Sequence, residues 1–324
     1  MTRPQVSVLT AVHNGERYLE ESVLSILGQR FTDFEFIVVD DGSTDGTAAC
    51  LERLRSREPR LIVVHQPHRG LTPSLNAAVR IARGTYWARH DADDVSPPDR
   101  LERQLQYLAT HPTVGAVGCG GDVIDAWGAV VCRLPVQCGI PAVRRQLMRL
   151  NTAVFHSSVM MRPEAFERAG GYREAFPVAQ DLDLWFRMAE HDDLDNLPGM
   201  AFRWRLSPSG VYATRREFQL KYSGIAMVFA RERRTHGVDS YDLLRACAGD
   251  LEAFAAAYRD RGLLQAVWGE LMFRGLRDVS RARRHLGSAL RNGFYHPKTL
   301  GLFGWSLLGL GWPGGVPLSA SMQE

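Results

Sequence analysis

Residues 85–105 read TYWARHDADDVSPPDRLERQL. The aromatic and β-branched residues after the break at Gly84 predict a buried strand over 85–90. Pro97 and Pro98 then lead into a helix, because Arg100-Leu101-Glu102-Arg103-Gln104-Leu105 has helical apolar spacing and proline suits a first turn. Between strand and helix stand the carboxylates Asp91, Asp93 and Asp94. Crowded at the carboxyl end of a strand, they repel one another, and a hard divalent cation relieves that repulsion. Mg²⁺ or Mn²⁺ takes oxygen ligands at about 2.1 Å, usually one or two carboxylates, and leaves its other positions to water and a substrate phosphate. Asp91 and Asp93 both fit as ligands or as groups supporting one, and Asp94 fits as a cap of the following turn. The plainer alternative is an Asp-rich turn with no ligand.

Outward from this segment, apolar strands alternate with amphipathic helices. Strands are predicted at 6–12, 34–39, 61–65, 85–90 and 114–118, and helices near 16–28, 46–56, 72–82 and 98–110. This is an α/β pattern, which calls for a mostly parallel sheet covered on both faces. Ligands of such sheets bind beyond the carboxyl ends of the strands. His13-Asn14 follows the first strand, Asp40-Asp41 the second and the Asp91–Asp94 cluster the fourth, an arrangement suited to a nucleoside diphosphate. No G-x-G-x-x-G follows the first strand and no G-x-x-x-x-G-K-[ST] occurs, which argues against a dinucleotide enzyme or a P-loop NTPase. Asp41 has two readings: a charged acceptor for a base N–H, or part of a turn that breaks at Asp45-Gly46 into the next helix, with Asp45 as its cap.

Several segments taken together carry a family resemblance. They are the first strand with Asn14-Gly15-Glu16, DDGSTDGT at 40–47, ARHDADD at 88–94 followed by PPDRLERQ at 97–104, Gly170-Gly171-Tyr172-Arg173, and Gln180-Asp181-Leu182-Asp183-Leu184-Trp185-Phe186-Arg187. In this order they resemble the family 2 glycosyltransferases, inverting enzymes of the GT-A fold that use nucleotide-sugar donors, over roughly residues 4–206. The resemblance implies that Asp41 contacts the donor base; His13, where many members carry tyrosine, either stacks on that base or is merely packed at the strand end. It aligns Asn76 with the family's asparagine on the third helix, and assigns Asp91 and Asp93 to the divalent metal and the donor diphosphate. Asp181 becomes the base that takes the proton of the acceptor hydroxyl. Gln180 stands where the family has glutamate, and Ala11 where it often has proline.

Other readings of these residues stay open. Asp181 is also a good helix N-cap, and Asp183 falls in the favourable first turn. Arg89 either pairs with a phosphate or is a surface or structural arginine. His156 either meets the diphosphate or acceptor or is a hydrogen-bonded structural histidine. Met200 replaces the glutamine of the Q-x-x-R-W found in processive membrane synthases, which predicts one sugar added at a time. The implied partners are a nucleotide sugar and a glycan or lipid-linked acceptor in cell-envelope or exported-polysaccharide assembly, with no nucleic acid. Two rival readings are a sugar-phosphate nucleotidyltransferase and a catalytically silent nucleotide-binding module. The first requires a glycine-rich basic loop after the first strand, which Ala11–Glu16 is not; the second gives no reason to keep Asp91, Asp93 and Asp181.

The bulk composition agrees with a folded chain. Its 324 residues are 45% hydrophobic and 23% charged, ordinary globular values. Residues 114–162 change character, with two short strands about a turn at Trp127-Gly128, a helix near 141–150 and a strand near 157–162. The expected organisation is a GT-A domain over 1–206, its nucleotide-sugar half about 1–120 and its acceptor half about 121–206. A boundary at Ser207–Gly210 then leads to an α-helical region, 207–324, with helices predicted at 213–235, 240–261, 263–277 and 279–292. The five scattered cysteines lack metal-ligand spacing and suggest a reducing compartment. The first strand begins almost at once, which suggests no leader, so a cytoplasmic protein is expected. Residues 1–206 carry a net charge of −3 and residues 207–324 a net of +6. The basic third offers a surface for peripheral contact with the inner face of a membrane; a solvated helical face is the plainer reading.

Overall fold

The computed structural model describes residues 3–207 and 214–308. The chain divides into two compact units, Met1–Thr214 and Arg215–Glu324; the expected boundary at Ser207–Gly210 falls largely outside the described residues.

The first unit contains β1 (Val6–Val12), α1 (Glu16–Leu27), β2 (Phe34–Asp41), α2 (Thr47–Arg55), β3 (Leu61–Gln66), α3 (Leu71–Ile81), β4 (Tyr86–Arg89) and α4 (Arg100–Thr110). These are followed by β5 (Val114–Ile124), β6 (Val130–Leu134), α5 (Ile140–Met148), β7 (Met160–Met161), α6 (Pro163–Arg168), α7 (Gln180–Met188) and β8 (Asp193–Arg205). The strands form an eight-stranded sheet in the order β3-β2-β1-β4-β7-β5-β6, with β8 also paired to β5. Every residue of β2 is buried, as expected where helices cover both faces of a parallel sheet. Val8, Leu19, Val23, Phe36, Leu101 and Leu105 belong to one core that joins the sheet to α1 and α4.

Strand direction sets which ends meet. β1 runs parallel to both β2 and β4, and β2 parallel to β3. β7 is antiparallel to both β4 and β5, and β8 is parallel to β5. The carboxyl ends of β1, β2, β4, β5 and β8 therefore share one edge of the sheet.

Three expectations change. The strand predicted near 157–162 is a single turn of 3₁₀ helix, His156–Ser158, followed by the two residues of β7. The strand predicted over 114–118 runs on to Ile124, leading directly into the hairpin with β6. β8 was not foreseen: its sequence carries Pro198 and Gly199, and its pairing with β5 shifts register twice. Such irregularity erases the period-two pattern by which a strand is read.

The second unit is helical, as expected, with different boundaries. Helices span Arg216–His236, Tyr241–Ala246, Leu251–Ala257, Arg261–Leu271, Val279–Arg291 and Pro297–Leu307. The predicted 240–261 helix breaks where Ala248 and Gly249 both adopt positive φ. The predicted 263–277 helix ends in a π-helical turn over Met272–Leu276. No helix among the described residues is long and apolar enough to cross a membrane.

Candidate active site

Beyond β1 and β2 the backbone is pinned by polar contacts. The Asp40 carboxylate accepts the Ser43 N–H at 3.1 Å and lies 2.8 Å from His65 Nδ1. Asp45 accepts the Thr47 N–H at 3.0 Å and the Glu16 N–H at 3.2 Å. It thereby caps the first turns of both α2 and α1. Gly42 has φ +70°, and an added Cβ would come within 2.6 Å of His68 N, so only glycine fits this turn.

Asp41 is buried and saturated. Its carboxylate accepts hydrogen bonds of 2.8 Å each from the N–H groups of Arg69 and Gly70 and from Gln66 Nε2, and lies 2.9 Å from His68 Nδ1. Burial alone would raise its pKa, yet Gln66, the Arg69 and Gly70 N–H groups and Ser74 carry it below the ordinary value. A carboxylate offers about four acceptor positions, and the 66–70 loop occupies them. This departs from a carboxylate held open for a base.

Two exposed imidazoles sit against Asp41. His13 Nδ1 lies 2.9 Å from the Asp41 carbonyl oxygen; since a carbonyl only accepts, Nδ1 carries the proton. The His13 and His68 rings lie 4.1 Å apart, tilted by 32°. Asn76 is placed elsewhere: its amide donates to the Tyr172 carbonyl at 3.1 Å and to Glu174 Oε1 at 3.2 Å. It ties α3 to the segment after Gly171.

Beyond β4 the electrostatics reverse. Burial first, and the Asp91 charge second, push the Asp93 pKa up to about 7. Asp94 is fully buried and raised well above the carboxylate range, again by burial and then by Asp93 and Asp91. Its Oδ1 accepts the Arg205 N–H at 2.9 Å. Asp91 remains partly open to solvent and is ion-paired to Arg89. Among the described residues, no three His, Cys, Asp or Glu side chains close on a single point. The donor set is therefore no all-protein cage; it fits a cation that keeps water and substrate oxygens.

Buried arginines hold this loop. Arg89 is completely buried and donates to the Leu9 and His90 carbonyls and to Asp91, so of its sequence readings the surface one is corrected. Arg205 donates from Nε to the Asp93 carbonyl at 2.9 Å, from Nη1 to the Asp125 carbonyl at 3.1 Å and from Nη2 to Glu21 at 2.6 Å. Arg100 reaches the Arg89 carbonyl at 2.6 Å, while Gln104 Nε2 donates to the carbonyls of Val117 and Ser158. Arg205, Arg100 and Gln104 were missed as determinants of the site, because pattern reading shows a buried polar side chain only as a helix or strand residue.

Asp181 does not cap α7. That helix starts at Gln180, and its N-cap position is Ala179 at φ +56°, a strained conformation for a residue with a Cβ. Asp181 thus lies inside the first turn. Burial pushes its pKa up to about 6, with the Leu182 and Asp181 N–H groups opposing. Asp91 raises it further and Arg89 lowers it, so Asp181 lies within electrostatic reach of the β4 loop. Asp183 is committed instead to Arg187, at 2.7 Å. His156 Nε2 lies 2.7 Å from the Tyr172 hydroxyl, and burial, with help from Arg89, lowers the His156 pKa well below its ordinary value. His156 is neutral and hydrogen-bonded.

The Glycosyl transferase family 2 model matches residues 7–168, half of the chain. The chain belongs to this family. It is 36% identical to the glycosyltransferase EpsE of Bacillus subtilis over 192 residues, covering 58% of this chain and 67% of that protein. It is 28% identical to an Escherichia coli chondroitin synthase, over 58% of this chain but only 27% of that protein. Among solved structures it is similar to a Pyrobaculum calidifontis mannosyltransferase in complex with GDP-Man and Mn²⁺, with a TM-score of 0.55, 22% identity and coverage of 95% of this chain and 86% of that one. It is also similar to S. aureus TarS residues 1–349 in complex with UDP-GlcNAc, with a TM-score of 0.61, 15% identity and coverage of 94% and 92%. At these identities the structural likeness establishes the GT-A fold, and the family match establishes a glycosyltransferase.

Proposed function

We propose that this glycosyltransferase moves a sugar from a nucleoside-diphosphate donor to an acceptor hydroxyl, with inversion in one displacement. The observation that carries the reading is Asp181, a partly exposed carboxyl in the first turn of α7 whose pKa is pushed up to about 6 by desolvation, within electrostatic reach of Asp91 and Arg89. A base is most effective when its pKa lies near the working pH, and an ordinary carboxylate lies well below it. Asp181 accepts the acceptor proton as the acceptor oxygen bonds to the anomeric carbon and the bond to the diphosphate breaks.

Asp93 and Asp91 would hold a divalent cation. When bound, that cation would neutralise charge developing on the leaving diphosphate. Arg205 and Arg89 keep the loop's backbone and Asp91 in place for it. At the nucleotide end, the exposed faces of His13 and His68 meet the base, and Asp41 holds the 66–70 loop behind them. Relatives named chondroitin synthase and hyaluronan synthase support a glycan acceptor, of the kind used in cell-envelope or exopolysaccharide assembly.

Calorimetric titration with UDP, GDP, dTDP and CDP, with and without Mn²⁺, tests the donor side. One nucleotide should bind in a metal-dependent way in the wild type and lose that dependence in Asp93→Asn. Binding that ignores both the metal and the substitution would overturn the reading.

A further inference from the structure

The hairpin joining β5 to β6 carries the most exposed large apolar side chain described in the chain, Trp127, at 86% exposure. Val130 and Val131 beside it are 56% and 40% exposed. The fold gains nothing from an indole left in water, and an apolar surface kept exposed marks an interaction site when its surroundings name the occupant.

Two observations name it. The first is position: β5 ends on the sheet edge that also carries the ends of β1, β2 and β4, so its hairpin tip lies on the active-site side. The second is a direct polar link. The Arg205 guanidinium that holds the Asp93 carbonyl also holds the Asp125 carbonyl, at 2.9 Å and 3.1 Å. Trp127 is two residues further on, a reach of at most about 7 Å.

The hairpin tip is also built to fix the backbone that presents the ring. Asp125 Oδ1 accepts the N–H groups of Trp127 and Ala129, each at 2.9 Å, and the Asp125 N–H donates to the Ala129 carbonyl at 2.9 Å. Gly128 closes the turn at φ +88° with open space around it.

We propose that Trp127 is a stacking platform for a sugar ring of the acceptor, a carbohydrate subsite beside the transfer site. An indole face carries negative quadrupolar charge, and a pyranose presents to it a face of C–H groups with slightly positive hydrogens. Its hydroxyls stay in water around the ring rim. The proposal rests on the transferase reading, and its test is arranged to fail separately from that reading.

Saturation-transfer NMR of the full chain, with Mn²⁺ and the nucleotide that binds most tightly, is run against cellotetraose, chitotetraose and mannotetraose. At least one oligosaccharide should show transfer to its ring protons, falling at least five-fold in Trp127→Ala and kept in Trp127→Phe. Nucleotide affinity by calorimetry should stay within two-fold in both variants. Transfer unchanged in Trp127→Ala, or absent from the wild type with all three sugars, overturns the platform. So does a concentration-dependent dimer that Trp127→Ala dissolves, since the ring would then face a second copy. Failure of every nucleotide to bind sinks the donor reading, while loss of sugar contacts in Trp127→Ala is still measured on its own.

Discussion

At the end of β2 Asp41 is answered by four donors and its pKa falls, whereas at the end of β4 burial, and then neighbouring carboxylates, raise the pKa values of Asp93 and Asp94. Both groups stand on the same edge of the same sheet, and both are carboxylates at strand ends. The difference lies in what the protein supplies. Around Asp41 the 66–70 loop brings its own N–H groups, so the negative charge organises the fold. Around Asp93 the nearest cations, Arg89 and Arg205, are committed to Asp91 and to backbone carbonyls. Desolvating a carboxylate without a counter-charge is costly, so the raised groups here favour holding their protons until a ligand brings positive charge. Asp181 sits with the second group, raised but reachable.

The comparison breaks most visibly at Asp181. Replacing it by Asn preserves shape and removes the base, so turnover should fall about 10²–10⁴-fold with nucleotide affinity unchanged. In the wild type, log turnover should rise with pH and level off near 6, because the ionised form is the active one and the pKa is about 6. A pH–rate profile of purified protein checks both. Turnover within three-fold of wild type in Asp181→Asn would move Asp181 to the structural group.

Asp41→Asn should act on stability. It leaves two backbone N–H groups and an amide facing a neutral side chain that brings its own donors, a loss of about 2–3 kcal/mol. In a unit of this size that lowers the melting temperature by about 2–4 °C per kcal/mol. Thermal unfolding at pH 7 measures it. A variant with wild-type melting and lost nucleotide binding would instead mark Asp41 as a direct base contact.

Asp93→Asn should have the opposite sign. The folded pKa of Asp93 is about 7, against an unfolded value near 3.9. Between those values the native state holds the extra proton. Stability from Asp93 is therefore full below pH 4 and is lost as pH rises through 7. Without metal, Asp93→Asn should gain on the wild type as pH goes from 4 to 8, and Mn²⁺ should close the gap by stabilising the wild type alone. Taking the difference between the two proteins removes the contribution of every titratable group they share. A pH-independent difference would mean that the Asp93 carboxyl ionises freely.

How far all this was legible in the sequence follows the same division. Strand–helix alternation, the breaks at Asn14-Gly15 and Asp45-Gly46, and the clustering of carboxylates at strand ends are local patterns, and they suffice for the first four strands. Local pattern fails where long-range partners decide. Asp41 looks like a base ligand, with a turn brace as the alternative, until the 66–70 loop is seen folded over it. Asp181 looks like an N-cap until the helix is seen to start one residue earlier. Arg205 is separated from Asp93 by 112 positions, and no spacing rule links them. β8 escaped because its register shifts hide its periodicity, and with it escaped the strand that delivers Arg205.

Asn76 gives the smallest test of the comparison and the most selective. By resemblance it belongs with the donor site; by geometry it joins α3 to the carbonyl of Tyr172 and to Glu174. One of those bonds is exposed and the other partly buried, so Asn76→Ala should cost about 1 kcal/mol of stability. Nucleotide affinity should stay within two-fold, because the amide is already spent on the protein, as the Asp41 carboxylate is. A tenfold loss of nucleotide affinity at unchanged melting temperature would show that the amide is released from Tyr172 when donor binds. The braced set around Asp41 would then have to be counted as part of the binding surface, and the division between fold-holding and ligand-awaiting groups would begin at α3 and not at β2.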